Sequence, residues 1–266
     1  SNNAFKVTPG GAVTQIIDAT GDGAGNTLDG PQGIAVDGSG NVYVAGFGSH
    51  NAFKITPGGA VSEIIDVTGD GAGNTLDGPQ AIAVDGSGNV YVTGANSDNA
   101  FKITPGGAIT EIIDSSGDGA GNALVIPLGI AVDGSGNAYV TGFSSSNAFQ
   151  VTPGGAITEI IDATGDGAGQ ALMGSQAIAV DSSGNVFVAG ANSDNAFQVS
   201  PGGAITEIID TTGDGAGNLL FFPVSIAVAG SGNVYVAGRD SSNAFRLRAD
   251  GPPFQLTNAQ DLTVGF

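Results

Sequence analysis

The sequence of 266 residues contains no cysteine and no tryptophan, and it has one histidine and one methionine. Without cysteine the protein forms neither disulfide bonds nor thiolate metal sites. Cysteine content therefore does not indicate the cellular compartment. No apolar run approaches the length of about 20 residues that a membrane-spanning helix requires. We therefore predict no membrane insertion.

Basic residues are also scarce, because 6 Lys and Arg stand against 25 Asp and Glu and give a formal net charge of −19. Nucleic-acid binding relies on clustered Lys and Arg that release counterions, so we predict no nucleic-acid partner. An acidic surface suits basic proteins and divalent cations, and we predict a protein partner or self-association. The chain starts at Ser1 rather than Met, as a processed secreted protein would, and we expect an extracellular or cell-surface location.

A strict repeat is the strongest feature of the sequence. The word Asn-Ala-Phe recurs every 48 residues, at Asn3, Asn51, Asn99, Asn147, Asn195 and Asn243. Each unit contains four short runs of β-branched and aromatic residues, separated by Gly and Pro. In the first full unit these runs are residues 33–37, 41–45, 52–56 and 60–65. We name these strands a, b, c and d. No segment shows helical periodicity, so the sequence predicts an all-β fold, a β-propeller of four-stranded blades.

The repeat also carries a family resemblance. The stretch GDGAGNTLDGPQGIAVDGSGNVYVAG followed by NAFKITPGGAVSEII resembles the bacterial NHL-type repeat in order, spacing and turn residues. The resemblance extends from about Asn3 to Arg248. It implies blades around a central channel, with strand a innermost and strand d outermost.

The number of blades depends on how the chain ends pair. Strands a and b occur five times and strand c six times, so we predict five blades over residues 1–242, with six blades as the alternative. In the five-bladed arrangement, residues 3–7 pair with the strand b that contains Val234 and so close the ring. Residues 243–266 are then a surplus strand and tail that docks on a sheet edge, of its own or a neighbouring copy, and mediates assembly. The tail has apolar residues at spacing two, namely Phe254, Leu256, Leu262, Val264 and Phe266.

The loop from strand d to the next strand a resembles a calcium-binding loop in its spacing of oxygen-bearing residues, at positions 1, 3, 5, 9 and 12. Two copies are complete and give the candidate metal ligands Asp18, Thr20, Asp22, Asn26 and Asp29, and Asp66, Thr68, Asp70, Asn74 and Asp77. Later copies have Val125, Met173 and Phe221 at position 12. The same residues also form ordinary turns, because Asp and Asn bond to nearby backbone and Gly adopts positive φ. Calcium is the one cofactor that the sequence suggests.

The repeats differ mainly in their d–a and b–c loops, which leave the same face of a propeller blade. We call this surface the loop face. Its variable side chains either contact a partner or pack inward, and an exposed apolar patch of this kind indicates an interface. The candidate binding residues are Phe47, His50, Phe143, Val125, Ile126, Met173, Phe221, Phe222 and Arg239.

Enzymes that resemble this fold place acids, bases or metal ligands at the starts of strand a, around the channel mouth. Those starts are here Gln32, Gln80, Leu128, Gln176 and Val224, and His50 has no second histidine to form a zinc site. We therefore predict that the protein is not an enzyme. The predicted function is an acidic, extracellular binding or structural module that uses its loop face and C-terminal strand. The alternatives are a calcium-dependent surface or adhesive protein and a lyase-like or lactonase-like enzyme.

Overall fold

The structure, a computed structural model, describes residues 1–248 and 251–256. These residues form 22 β-strands, and no helix occurs among them. The chain divides into two compact units, which we call unit 1 (Ser1–Ser115) and unit 2 (Ser116–Phe266). In the described ranges, no helix is long and apolar enough to span a membrane.

Unit 1 contains a two-stranded sheet, β1-β2, and two four-stranded sheets, β3 to β6 and β7 to β10, all antiparallel. In each four-stranded sheet the strands follow one another as a, b, c and d, so hairpins connect all neighbours. The strands are β1 (Ala4–Val7), β2 (Val13–Ile17), β3 (Pro31–Val36), β4 (Val42–Gly46), β5 (Asn51–Ile55), β6 (Val61–Ile65), β7 (Pro79–Val84), β8 (Val90–Gly94), β9 (Asn99–Ile103) and β10 (Ile109–Ile113).

Unit 2 contains three four-stranded sheets of the same order, β11 to β14, β15 to β18 and β19 to β22. The strands are β11 (Pro127–Val132), β12 (Ala138–Gly142), β13 (Asn147–Val151), β14 (Ile157–Ile161), β15 (Ser175–Val180), β16 (Val186–Gly190), β17 (Asn195–Val199), β18 (Ile205–Ile209), β19 (Pro223–Val228), β20 (Val234–Gly238), β21 (Asn243–Arg248) and β22 (Gly251–Gln255).

The a–b turn shows how local sequence sets the hairpin register. Asp37 Oδ1 accepts hydrogen bonds from the backbone N–H groups of Ser39 and Asn41, each at 2.9 Å. Gly40 completes the turn at φ 81°, a conformation that glycine adopts without steric cost. The same bonds recur at Asp85, Asp133 and Asp181. The last sheet keeps the register with Ala229 in place of the aspartate, through the backbone hydrogen bonds of the turn.

The core of each four-stranded sheet is centred on the phenylalanine of Asn-Ala-Phe. This ring is 0% exposed in all five copies, which are Phe53, Phe101, Phe149, Phe197 and Phe245. A leucine from the preceding d–a loop is also buried in each, namely Leu28, Leu76, Leu124, Leu172 and Leu220. Burying one such side chain stabilises a fold by about 1.5–3 kcal/mol.

The predicted five-bladed closure is wrong. Val234 in β20 pairs with Leu247 in β21, so residues 243–247 take the strand c position of the fifth four-stranded sheet. The N-terminal strand β1 pairs with β2 in a separate sheet, which gives six sheets and favours the six-bladed alternative. The physical reason is loop entropy, because strand c follows strand b after a few residues whereas the N-terminal strand is more than two hundred residues away.

The strand at residue 243 is therefore not surplus, and Phe254 lies in β22, which pairs with β21. Leu262, Val264 and Phe266 of the predicted tail strand lie outside the described residues. The predicted role of the C-terminal segment in assembly stays a prediction.

Candidate functional site

The d–a and b–c loops lie side by side at one end of the strands in each four-stranded sheet. In the first sheet, Phe47 N–H donates to Gly30 O and Gly48 N–H donates to Asp29 O, both at 3.0 Å. The same two hydrogen bonds recur in the other four sheets. Within each four-stranded sheet, backbone hydrogen bonds thus hold the two loops of the loop face together.

In unit 1 the loop face is largely polar. The d–a loops present Asp29 and Asp77, each followed by glycine. Asp29 Oδ1 accepts a hydrogen bond from Asn2 Nδ2 at 2.6 Å, and Asp77 Oδ1 accepts one from Asn96 Nδ2 at 3.1 Å. The half-buried Phe47 is an apolar side chain next to them, and its ring lies against Gly78 of the next loop.

In unit 2 the equivalent positions are apolar. Ile126, Met173 and Phe221 are 39%, 51% and 38% exposed, respectively. Val125, Phe143 and Phe222 are half-buried, so these three pack partly inward. We call the six residues the apolar patch: Val125, Ile126, Phe143, Met173, Phe221 and Phe222. Of the predicted binding residues, those of unit 2 thus lie on its loop face.

Two residues of the apolar patch have a strained backbone. Ile126 and Phe222 have φ values of 53° and 49°, at the position where the other repeats have Gly30, Gly78 and Gly174. A left-handed conformation costs an L-residue roughly 1–2 kcal/mol, and it is uncommon for a β-branched side chain. The guanidinium of Arg239 lies 3.8 Å from the centre of the Phe222 ring, a cation–π contact that holds this side chain in place.

His50 belongs to a repeated linking position at the end of the b–c loop. Its Nδ1 lies 3.2 Å from the N–H of Gly78 in the next d–a loop, and Ser146 Oγ accepts from Gly174 N–H in the same way at 3.1 Å. Asp194 Oδ1 likewise accepts from Phe222 N–H at 2.7 Å. The position therefore requires a hydrogen-bond acceptor, and imidazole is one of several that satisfy it.

His50 differs from these counterparts because it also meets a carboxylate. Its Nδ1 lies 2.9 Å from Asp77 Oδ1, and the side chains are 40% and 46% exposed. Nδ1 cannot accept from Gly78 and donate to Asp77 at once, since the two contacts need different tautomers or charge states. When Nδ1 carries the proton and donates to Asp77, a neutral ring has its lone pair on Nε2.

The predicted calcium loops use their carboxylates in hydrogen bonds within the loop. Asp22 Oδ1 accepts from Ala24 N–H at 2.8 Å and Asp22 Oδ2 accepts from Asn26 Nδ2 at 2.8 Å. These bonds, first that from Ala24, lower the pKa of Asp22. Thr20 N–H donates to Asp18 at 2.9 Å, and Asp66, Thr68, Asp70 and Asn74 repeat these contacts.

A metal ion bound in these loops would need backbone and amide oxygens as ligands in addition to the carboxylates. Among the described residues, no three His, Cys, Asp or Glu side chains lie close enough together to form a metal site. Asp18, Asp22 and Asp29 therefore do not converge on one point through their carboxylates. Calcium binding stays a prediction.

The asparagine in Asn-Ala-Phe has a function that the repeat pattern alone does not reveal. Asn51 is 3% exposed, and its Nδ2 donates to Thr27 O at 3.1 Å and to Glu63 Oε1 at 2.8 Å. Its Oδ1 accepts from Ser49 Oγ at 2.7 Å. This asparagine bridge ties the d–a loop, the b–c loop and strand d together, and so positions the loop face. Burial raises the pKa of Glu63, and the charges of Asp66 and Asp22 raise it further.

The comparisons with known proteins concern the repeat and the fold. A family described as "Beta-propeller repeat" matches residues 13–54 and 119–150. No curated protein matches the chain. The family match supports a β-propeller repeat without singling out the NHL type that the sequence resembles.

Several solved structures are similar to the chain. A catalytically inactive virginiamycin B lyase from Staphylococcus aureus with quinupristin aligns with a TM-score of 0.72 at 18% identity, over 96% of this chain and 76% of that one. A nidogen/laminin complex aligns at 0.64 and 18% identity, over 88% and 79%. A putative gluconolactonase aligns at 0.59 and 14% identity, over 97% and 83%. These likenesses show a β-propeller fold.

They also contradict the prediction that the protein is not an enzyme. Solved structures of similar fold include a lyase and a putative gluconolactonase, so this fold is one on which enzymes occur. The prediction depended on the strand a starts, which lack acids and bases, and fold alone does not select a function. It overlooked the contact between His50 and Asp77, which are distant in sequence and meet only on the loop face.

Proposed function

We propose that this protein is a binding module whose apolar patch in unit 2 contacts a protein partner with an apolar and basic surface. The observation that carries the proposal is the backbone strain at Ile126 and Phe222. At this left-handed position of the d–a loop, two of the five repeats have an apolar residue instead of glycine. Strain that persists in a native structure is concentrated at functional sites, because it lowers stability without helping the fold.

The charge of the protein supports the chemistry of this partner. A formal net charge of −19 attracts basic partners over long range and repels acidic ones. Exposed apolar side chains then supply the contact area at short range. A solved structure of similar fold is that of a nidogen/laminin complex, which is an assembly between proteins. An extracellular or cell-surface location and the lack of a nucleic-acid partner stay predictions.

The test is a selection of peptides from a random display library on the immobilised protein. We expect the enriched peptides to combine Lys or Arg with apolar residues, and to lose at least about tenfold in affinity for a Met173→Ser, Phe221→Ser double variant. Affinity is measured by fluorescence anisotropy. Both side chains are exposed, so the variant should keep the melting temperature of the wild type.

A matched control is Val67→Ser, which replaces a 50% exposed apolar residue in a d–a loop of unit 1. Enriched peptides that bind the patch variant and the wild type equally well would refute the proposal. So would peptides that lose affinity for Val67→Ser to the same degree.

Catalysis is a second candidate function, and the contact between His50 and Asp77 favours it. A carboxylate that accepts from Nδ1 orients an imidazole so that Nε2 can act as a general base. The solved lyase provides a first substrate to try, because its name specifies virginiamycin B.

On this second hypothesis, we expect the purified protein to convert virginiamycin B, and His50→Ser to lower the rate by about 100-fold or more. Serine is the counterpart at position 146, so it preserves the acceptor for Gly78 and with it the fold. Product is followed by chromatography and mass spectrometry. Absence of turnover, or equal rates for the wild type and His50→Ser, would exclude His50 as the base for this substrate.

A further inference from the structure

Adjacent four-stranded sheets of the same unit form a groove near the a–b and c–d turns, at the end of the strands opposite the loop face. In unit 1 the groove lies between the sheets β3 to β6 and β7 to β10 and has a volume of about 460 Å³. In unit 2 a groove of about 620 Å³ lies between the sheets β11 to β14 and β15 to β18. Both volumes are within the range of about 300–1,000 Å³ that is typical of small-molecule sites.

The two grooves are built from the same positions of the repeat. Eleven residues that line the groove of unit 1 have their counterparts, 96 residues further on, in the lining of the groove of unit 2. Three of these counterparts have a shorter side chain, namely Gln150 for Lys54, Val199 for Ile103 and Ser200 for Thr104. The shorter side chains explain why the groove of unit 2 is the larger one.

The larger groove also reaches a carboxylate at the a–b turn, because Asp133 and Asn137 are among its lining residues. Asp133 Oδ2 accepts a hydrogen bond from Asn137 Nδ2 at 2.7 Å and one from the Tyr139 hydroxyl at 3.1 Å. Gln150 Nε2 donates to the same hydroxyl at 3.2 Å. Burial, together with the charge of Asp133, raises the pKa of Tyr139 to about 12. The phenol is therefore neutral at physiological pH, and the negative charge of this cluster lies on Asp133.

The other two grooves between adjacent four-stranded sheets of one unit contain a basic side chain of the protein itself. In unit 1, Lys54 lines the groove, and its Nζ lies 5.9 Å from the centre of the Tyr43 ring. The groove between the sheets β15 to β18 and β19 to β22 is lined by Asp181 and also by Arg248. The groove of 620 Å³ has no Lys or Arg among its lining residues. It thus combines a carboxylate and an aromatic ring without a cation.

We propose that the groove between the sheets β11 to β14 and β15 to β18 binds a primary alkylammonium group. The alkyl chain lies along Ile160, Val186 and Val199, and the ammonium lies beside Asp133 and Tyr139. Such a ligand provides what the Lys54 side chain provides in unit 1, an apolar stem and a positive charge next to an aromatic ring. The formal net charge of −19 raises the local concentration of cations around the protein.

The first experiment is an NMR titration of the ¹⁵N-labelled protein with n-butylammonium chloride. We expect saturable shifts of the Gly184 and Ser200 amide signals, with a dissociation constant on the order of a millimolar. The amide signals of Gly88 and Thr104, their counterparts in unit 1, should not shift. Butan-1-ol has the same chain without the charge, and we expect it to bind at least about tenfold more weakly.

Two variants exchange the properties of the grooves. Gln150→Lys places in unit 2 the lysine that unit 1 has, and it should weaken butylammonium binding by about tenfold or more without lowering the melting temperature. The triple variant Lys54→Gln, Ile103→Val, Thr104→Ser copies the groove of unit 2 into unit 1. We expect it to gain a second site, which is detected as a saturable shift of the Gly88 amide signal.

The proposal is overturned if Gly184 shows no saturable shift, if butan-1-ol binds as well as butylammonium, or if Gln150→Lys binds like the wild type. Equal shifts at Gly88 and Gly184 in the wild type would also overturn it, because they would mean that cations gather over the whole acidic surface. The peptide acetyl-Gly-Lys-Gly-amide is titrated in parallel. Tighter binding of this peptide than of butylammonium identifies a lysine side chain as the source of the ammonium, and weaker binding identifies a free amine.

Discussion

An Asn99→Ala variant is expected to lose about 3 kcal/mol of folding free energy, which corresponds to a melting temperature roughly 6–12 °C below that of the wild type. Asn99 is 3% exposed, and its Nδ2 donates to Thr75 O at 3.0 Å and to Glu111 Oε1 at 2.8 Å. Alanine removes the hydrogen-bond partner of these two acceptors and of the Ser97 hydroxyl, all in a partly buried environment. Thermal unfolding followed by circular dichroism measures the effect.

The control for this prediction is Glu111→Gln, which retains an acceptor for Asn99. Burial raises the pKa of Glu111, and the charges of Asp114 and Asp70 raise it further. Because the folded pKa is above the unfolded one, the stability that this group contributes is present at low pH and lost as the pH rises through the folded pKa. Glutamine avoids that loss, so Glu111→Gln should melt no lower than the wild type at neutral pH. If Asn99→Ala also melts within a degree or two of the wild type, the asparagine bridge does not stabilise the loops.

Much of the fold could be predicted from the repeat. The strands occur where β-branched runs alternate with Gly and Pro, and the turn after Asp37 forms through local hydrogen bonds that sequence specifies. The asparagine bridge could not be predicted in the same way. Asn51 meets Glu63 across a bulged c–d pair and Thr27 in the preceding loop, so its contacts depend on register and packing.

The pairing of the chain ends shows a second limit of the sequence. Two segments with similar sequence patterns, residues 3–7 and residues 243–247, compete for one strand c position. The structure pairs the local competitor with Val234, as loop entropy favours. The strain on the loop face was closer to being predictable. Aligned repeats show Ile126 and Phe222 among glycines, but only the backbone reveals that the left-handed conformation persists there.

The largest loss of stability is expected for Gly69→Ala in the d–a loop of unit 1, by more than about 4 kcal/mol. Gly69 begins the GDGAGN sequence of the repeat and lies against the phenylalanine of Asn-Ala-Phe. A Cβ on Gly69 would overlap the carbonyl oxygen of Asn74 and lie 3.1 Å from Cζ of the fully buried Phe101. Neither neighbour can yield easily, because Asn74 O accepts the backbone hydrogen bond of Asp70 and Phe101 fills the core.

Gly71→Ala, two residues further on, separates this overlap from the conformational effect. Both glycines have positive φ, 62° at Gly69 and 72° at Gly71, but no atom lies within 4 Å of a Cβ at Gly71. Alanine at Gly71 therefore incurs only the left-handed penalty of roughly 1–2 kcal/mol. Chemical denaturation of the two variants should give free energies of unfolding that differ by at least about 2 kcal/mol. Equal losses would mean that the loop moves away from Phe101 at little cost, and that glycine is required at position 69 for its φ alone.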